Sequence, residues 1–163
     1  MDLDELDRQL LSVLVRDGRV RWSALAEQLG VSPPAIADRV RRLEKGGVIT
    51  GYTAKLNAEQ LGLALSAFVM VTLDHPRYRQ GFLNYIQSHS AIEACHHVIG
   101  EGDYLLQVRC RSTAELEGIL SDEIKALPGI QQTRTTISLS TVKASTALPV
   151  AVSPVDIEEG CKD

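Results

Sequence analysis

The spacing of apolar residues predicts three short helices in the first third of the chain. Apolar positions recur every three or four residues over 4–16, 22–29 and 33–45, the period of a helix with one buried face. The three stripes are Leu6, Leu10, Val13 and Leu14, then Leu25, Ala26 and Leu29, then Ile36, Val40 and Leu43. Together they predict a three-helix core.

The sequence also indicates where the second and third helices begin and end. Gly30 breaks the second helix. Ser32 is a favoured N-cap because its hydroxyl can accept a backbone N–H, and Pro33 suits the first helical position. Gly46 and Gly47 are the residue type expected just past a helix end. These signals predict two helices joined by a tight turn.

Two such helices with a basic outer face on the second are typical of a helix-turn-helix, whose second helix enters the DNA major groove. That outer face carries Pro34, Ala35, Asp38, Arg39, Arg41, Arg42 and Lys45. We predict a DNA-binding site at Ser32, Pro34, Ala35, Asp38, Arg39 and Arg42, where three small residues permit close approach. A two-helix corner with a solvated charged face is the alternative.

The segment after the third helix is rich in β-branched residues. Residues 48–56 indicate a short strand pair or wing that bends at Gly51, with Thr53 and Lys55 able to touch the DNA backbone. A plain connector to the next domain fits the same residues. Residues 57–62 indicate a linker with one helical turn.

The second half of the chain alternates strands and helices in the order β-α-β-β-α-β. Strands are expected at 63–74, 92–99, 103–111 and 130–142, and helices at 77–89 and 113–127. This order predicts a ferredoxin-like sandwich and an α+β protein overall. The expected domains are 1–52 (winged helix-turn-helix), 53–62 (wing or linker), 63–143 (sensing and oligomerisation) and 144–163 (an extended tail, mobile near its end).

The first of these strands is apolar on both faces. Leu65, Ala67, Val69, Val71 and Leu73 alternate with Phe68 and Met70. A sheet buried on both sides needs helices on one face and a second cover on the other, for which we expect another subunit.

Charged residues are unevenly distributed along the chain, and this distribution bears on DNA binding. The net charge is −4, yet residues 8–52 hold eight Arg or Lys against four Asp or Glu, a net of +4. A basic patch of this kind suffices for phosphate contact. Three widely spaced cysteines, Cys95, Cys110 and Cys161, and the lack of a signal peptide or a long apolar run predict a reduced, cytoplasmic protein.

The turn at Gly100-Glu101-Gly102-Asp103 is the most chemically suggestive stretch of the second half. Glycines leave backbone N–H groups open to a carboxylate, and an aspartate can hold an ammonium. A free amino acid has both groups, although a hairpin with a surface acid fits equally. Cys95-His96-His97 is not expected to bind a metal because neighbours on a strand point to opposite faces.

Taken together, these motifs resemble the Lrp/AsnC (leucine-responsive, feast/famine) family of regulators over residues 3 to about 143. The resemblance rests on LDELDR (3–8), DGR (17–19), LGVS (29–32), RVRRLE (39–44), GVITGY (47–52), GEGDYLL (100–106), LPGI (127–130), TRT (133–135) and VK (142–143). No single string is specific, but their order and spacing across two domains is.

The resemblance implies a DNA-binding domain, a ligand-sensing dimerisation domain, and dimers that assemble into tetramers or octamers. It implies an amino-acid effector bound between dimers. We expect no cofactor and no metal. The effector residues so implied, together with the turn, are His97, Gly100, Gly102, Asp103, Tyr104, Thr113, Thr136, Ile137 and Ser138.

We therefore expect a sequence-specific transcriptional regulator that acts on operator DNA at the nucleoid. The alternative is a nucleoid-associated architectural protein with little sequence choice and no ligand response. An enzyme on a ferredoxin-like scaffold is disfavoured, since the chain shows no paired acid and base, no P-loop and no credible metal set.

Overall fold

The computed structural model describes residues 2–145, 148 and 150. They divide into a helical unit, which comprises the described residues up to Lys55 and from Lys143 onward, and a sheet unit at Leu56–Val142. Each unit has its own apolar core. No helix in the described part of the chain is long and apolar enough to cross a membrane.

Three helices build the helical unit: α1 (Glu5–Leu14), α2 (Trp22–Leu29) and α3 (Pro33–Lys45). At the start of α1, the Asp4 side chain accepts the Asp7 N–H and the Asp7 side chain accepts the Asp4 N–H, a reciprocal capping box. The predicted stripes meet in one core of Leu10, Leu11, Leu25, Ala26, Ile36, Val40 and Leu43, against which Val150 also packs. The three-helix prediction is confirmed.

One predicted contact at the start of α3 is wrong. Ser32 is the N-cap residue, but its hydroxyl accepts no capping hydrogen bond. Pro33 and Pro34 occupy the first two helical positions and have no N–H, so one of the two usual partners of a capping hydroxyl is missing. The predicted end is confirmed, because Gly47 is left-handed (φ 71°) and the Val48 N–H bonds to Leu43 O at 2.9 Å.

The strand pair predicted over residues 48–56 does not form. Residues 51–57 contain no turn or bend, so the chain does not fold back at Gly51, and none of the described strands pairs with this segment. The Val48 and Ile49 N–H groups both bond to Leu43 O, which holds the start of the segment on the end of α3. The segment is the plain connector that the same residues allowed, and the predicted turn follows it where the Leu61 N–H reaches Ala58 O.

The sheet unit confirms the βαββαβ order. Its elements are β1 (Leu65–Leu73), a 3-10 turn (Pro76–Tyr78), α4 (Arg79–Ser88), β2 (Ile92–His97), β3 (Tyr104–Cys110), α5 (Thr113–Gly118), a π-helix (Ile119–Ile124) and β4 (Ile130–Ser138). The four strands are antiparallel in the order β2-β3-β1-β4, with β2 and β4 at the edges. β4 ends four residues before the predicted position.

The helix predicted over 113–127 changes character halfway. From Ile119 it widens into a π-helix, marked by the bond from the Lys125 N–H to Leu120 O five residues earlier. In an α-helix, residues five apart point about 140° apart around the axis. The wider turn instead lets Ile119 and Ile124 both reach the core, where they are 4% and 0% exposed.

The two faces of the sheet differ as predicted. On one face Ala67, Val69 and Val71 are fully buried beneath the helices, where they pack with Phe82 and Leu106 in one cluster. On the other face no described helix of the sheet unit is packed, and Phe68 is 40% exposed. The predicted tail over 144–163, with Cys161, lies mostly outside the described residues.

Candidate functional site

Four residues form the most exposed stripe of α3. Pro34, Asp38, Arg41 and Lys45 are all exposed and fall at i, i+4, i+7 and i+11, one face of the helix. The opposite face carries the buried residues Ile36, Val40 and Leu43. The stripe therefore points away from the core of the helical unit, as a surface that enters a DNA groove must.

The predicted DNA-binding residues are distributed unevenly around this stripe. Ser32, Pro34 and Asp38 are exposed at the start of α3, and Ala35 is half-buried on its flank. Asp38 is paired with Arg41 at 3.0 Å, and both side chains are more than 70% exposed. Arg41 and Lys45 were absent from the predicted set, although their positions on the outer face were visible in the sequence.

Arg39 and Arg42 are bound to α1. Nη2 of Arg42 lies 2.7 and 2.6 Å from the two carboxylate oxygens of Asp7, and Nη1 of Arg39 lies 2.8 Å from Asp7 and 2.6 Å from Asp4. The Asp7 side chain is 0% exposed. The adjacent Arg39 guanidinium also lowers the pKa of Asp4. We refer to these four residues, Asp4, Asp7, Arg39 and Arg42, as the ion cluster.

Sequence reasoning had missed the ion cluster. It assigned both arginines to DNA and predicted no contact between α1 and α3 through them. A usable signal was present, because Asp4 and Asp7 are three apart on α1 and Arg39 and Arg42 three apart on α3, so each pair lies on one helix face. Neither spacing shows that α1 packs against α3, because that contact depends on the tertiary structure.

The connector after α3 contributes a second polar contact. The Tyr52 hydroxyl donates to Glu44 at 3.0 Å, and burial followed by this bond raises the pKa of Tyr52. Thr53 and Lys55, predicted to touch the DNA backbone, line a cleft of about 720 Å³ together with Arg16 and Arg19. Three basic residues of the helical unit thus lie around one depression.

The turn between β2 and β3 has a definite internal structure. The Asp103 N–H bonds to Val71 O, and Asp103 O accepts the Val98 N–H, both at 2.9 Å. One oxygen of the Asp103 carboxylate accepts the Leu73 N–H at 2.7 Å. Gly102 is buried, and a Cβ there would lie 2.6 Å from Met70 Cγ. Asp103 and Gly102 therefore hold the turn against β1.

Two aromatic contacts fix the residues beside the turn. Tyr104 is 2% exposed, and its ring lies 4.9 Å from that of Phe82. His97 stacks on Tyr104 with ring centroids 5.0 Å apart, leaving the His97 side chain at the surface. Five of the predicted effector residues, His97, Gly100, Gly102, Asp103 and Tyr104, thus belong to one end of the sheet.

The other four predicted effector residues lie at the opposite end. Ser138 is paired with Ser66, which is paired with Arg109, near the end of β3 that leads to Thr113. The turn is instead at the level of Val71, five residues along β1 from Ser66, or about 16 Å at the strand rise of about 3.3 Å per residue. One chain does not bring the nine predicted residues into one pocket.

Strand alternation divides the second group further. Ile137 is paired with Ala67, so it belongs to the face of the sheet that carries the helices, and it is 45% exposed. Thr136 and Ser138 belong to the opposite face, with Phe68 and Ser66. The Ser138 hydroxyl donates to Ser140 O at 3.2 Å.

The strand β2 separates its Cys-His-His run as predicted. Cys95 is paired with Leu106 and packs against the core, while His96 is paired with Leu105 on the other face. Burial raises the pKa of the Cys95 thiol, which disfavours a thiolate ligand. Among the described residues, no group of three or more His, Cys, Asp or Glu side chains could hold a metal ion.

Family models match both units. The AsnC-type helix-turn-helix domain matches residues 3–44, and the Lrp/AsnC ligand binding domain matches residues 66–148. The leucine-responsive regulatory proteins of Escherichia coli (strain K12) and Klebsiella pneumoniae are each 38% identical over 151 residues, which is 91% of this chain and 92% of theirs.

Solved structures show the same architecture. A transcriptional regulator from Neisseria meningitidis in complex with L-methionine matches with a TM-score of 0.88 and 29% identity, covering 91% of this chain and 97% of that one. The feast or famine regulatory protein of M. tuberculosis, complexed with L-methionine, matches with a TM-score of 0.82 and 39% identity, covering 88% and 96%.

Proposed function

Because this chain belongs to the Lrp/AsnC family of transcriptional regulators, we propose that it binds operator DNA through α3 and that a free amino acid held between copies of the chain changes that binding. The observation that carries the proposal is the presence, in one chain, of an exposed stripe on the second helix of a helix-turn-helix and a family ligand-binding domain.

For DNA binding, the proposal uses the start and outer face of α3. Recognition helices meet base edges with their N-terminal residues, where Ser32, Pro34 and Asp38 are exposed and small enough for close approach. Cations further along the stripe can contact phosphates. In a symmetric dimer two such helices face two half-sites, so the operator is expected to be an imperfect palindrome.

For assembly, the proposal uses the helix-free face of the sheet. Phe68 and Met70 lie on this face beside Thr136 and Arg134 of β4, and Phe68 is 40% exposed. A second copy of the chain is the cover we propose, with tetramers or octamers built from such dimers. Burial of this apolar surface would supply the driving force.

For the effector, the proposal places residues from different copies around one ligand. The turn at Gly100 to Tyr104 is separated from Thr136 by about 10 Å and from Ser138 by about 16 Å along one sheet, and Thr113 follows the strand end near Ser138. A free amino acid is too short to bridge them within a chain. If both groups contact the effector, the site is complete only when two copies meet.

The turn offers the chemistry that an amino acid needs. Backbone N–H groups around Gly100 can meet its carboxylate, and Asp103 its ammonium. A carboxylate has about four lone-pair sites, so Asp103 can accept the Leu73 N–H and an ammonium at once. L-methionine, present in the complexes of two structural relatives, is the first candidate. The proposal includes no catalysis, metal or cofactor, and places the protein at the nucleoid.

A thermal-shift screen of the twenty amino acids tests the effector, because a ligand that binds only the native state raises the melting temperature. Gel shifts with random DNA and with a duplex selected by the protein then test regulation. We expect selective binding that changes with the effector. Equal affinity for both DNAs and no response to any amino acid would instead indicate the architectural protein.

A further inference from the structure

Arg39 and Arg42 occupy a flank of α3 and not its exposed stripe. At about 100° per residue, Arg39 lies about 130° around the helix from the centre of the stripe and Arg42 about 70°. Exposure follows this order: the Arg39 side chain is 27% exposed, that of Arg42 49%, and that of Arg41, on the stripe, 74%. The flank faces α1.

The ion cluster joins α1 to α3 with matched spacing. Two acids one turn apart on α1 meet two arginines one turn apart on α3, and the Arg39 guanidinium bridges both acids. The charges sum to zero. Close backbone packing connects α1 to α2 and α2 to α3. The cluster adds a direct link between the first helix and the third.

Burial fixes the cluster in this arrangement. The carboxylate of Asp7 is fully buried, and each of its oxygens accepts a guanidinium N–H at 2.6 to 2.8 Å, while one also accepts the Asp4 N–H. Moving either arginine to a phosphate would remove one of the two cations that neutralise this buried charge, which is unfavourable. On the other flank of α3, Glu44 is held by Tyr52.

We propose that Arg39 and Arg42 are positioning residues, which set the angle of α3 on the helical unit, and that Arg41 and Lys45 make the direct contacts to DNA phosphates. This inference rests on the proposed DNA binding through α3 and names the residues that perform it. It replaces the prediction that Arg39 and Arg42 touch DNA.

The opposite role for the ion cluster would be sequestration, in which Asp4 and Asp7 withhold two DNA-binding arginines. The two roles predict opposite changes in DNA affinity when an acid of the cluster is removed. If the arginines position α3, loss of an acid weakens DNA binding. If the acids sequester them, loss of an acid frees a cation and strengthens DNA binding.

The first test replaces Asp4 by Asn in the full-length chain. Asparagine is as good an N-cap as aspartate, so Asp4→Asn removes the ion pair with Arg39 and keeps the helix start. Glu5→Gln is the matched control, since Glu5 is an exposed acid in the same turn. The probe is a duplex that the wild-type chain selects from a random-sequence library.

We expect Asp4→Asn, relative to Glu5→Gln, to weaken binding by about two- to thirtyfold, the range for residues that influence a site without touching its ligand. Asp7→Asn should weaken it further, provided circular dichroism shows intact helices. Tighter or equal binding by Asp4→Asn would overturn the proposal. Failure of the wild-type chain to select any duplex would instead overturn the proposed DNA binding itself.

The second test measures how affinity depends on salt. Removing a cation that contacts a phosphate lowers the slope of log affinity against log salt by about one. We expect this loss for Arg41→Gln and Lys45→Gln, and weaker binding with an unchanged slope for Arg39→Gln and Arg42→Gln. A slope reduced by about one in either of the last two variants would make that arginine a phosphate contact.

Discussion

Each domain contains an acidic side chain that holds two segments of the chain together, a role that was not predicted from the sequence. In the helical domain the Asp7 carboxylate accepts hydrogen bonds from the Asp4 N–H and from the guanidinium groups of Arg39 and Arg42. In the sheet domain Asp103 accepts the Leu73 N–H at 2.7 Å. The first acid joins two helices, whereas the second joins a turn to its neighbouring strand.

The difference follows from how each domain satisfies its backbone. A helix satisfies its N–H groups internally, so side chains must fix one helix relative to another. A sheet fixes its strands through the ladder itself and needs help only where the ladder is irregular. Leu73 lies at such a point, because the pairing of β1 with β4 shifts register between Thr72 and Leu73.

The largest expected effect concerns the helical domain. The double variant Arg39→Ala/Arg42→Ala leaves Asp7 buried without its cations, and we expect it to lose about 3 kcal/mol of unfolding free energy. Urea unfolding followed by the fluorescence of Trp22, the only tryptophan, reports this domain. Adding Asp7→Ala should restore part of the loss. A triple variant no more stable than the double would refute the buried-charge explanation.

The next effect concerns the closest backbone approach in the sheet domain. A Cβ at Gly102 would meet Met70 Cγ at 2.6 Å and Val71 O at 3.2 Å. We expect Gly102→Ala to cost about 1–3 kcal/mol through overpacking, measured by calorimetric melting. The control is Gly81→Ala in α4, where a Cβ meets open space. Because alanine favours a helix more than glycine does, this variant should gain up to about 1 kcal/mol of unfolding free energy. Equal melting temperatures for the two variants would contradict the close approach.

A smaller effect separates the two roles of Asp103. Asp103→Ala leaves the Leu73 N–H without its acceptor and should cost about 1 kcal/mol of stability. Asp103→Asn keeps a carbonyl acceptor but loses the charge, so we expect nearly native stability and weaker effector binding by calorimetry. If the Asn variant binds the effector with native affinity, Asp103 serves the turn alone.

The sequence predicted the elements of both domains because their apolar periods are strong. The three helical stripes supplied Leu10, Leu25 and Val40 to one core, and the alternation along β1 predicted both faces of the sheet correctly. The exceptions were local. The strand pair over 48–56 did not form, and α5 became a π-helix at Ile119 because packing of two isoleucines outweighed helical regularity.

The candidate sites were harder to predict, because residue type does not specify a partner. Arg39 and Arg41 are two apart on one helix and chemically identical, yet one bridges two acids on α1 and the other is mostly exposed. The predicted effector residues likewise proved to lie at two ends of one sheet. Both outcomes depend on contacts between distant segments, which periodicity cannot specify.

The smallest expected effect is the contribution of Asp4 to acid stability. The hydrogen bond from Arg39 lowers the pKa of Asp4 below the ordinary value of 3.8. A group whose folded pKa is lowered stabilises the folded state above its unfolded pKa, and this stabilisation is lost as the pH falls through the folded value. Wild-type chain and Asp4→Asn should therefore differ in stability near pH 7 and converge below about pH 3.

Urea unfolding of both proteins at a series of pH values, again followed by Trp22 fluorescence, measures this difference. Parallel stability curves down to the lowest pH would mean that the Asp4 carboxylate contributes through its capping oxygen and not through its charge.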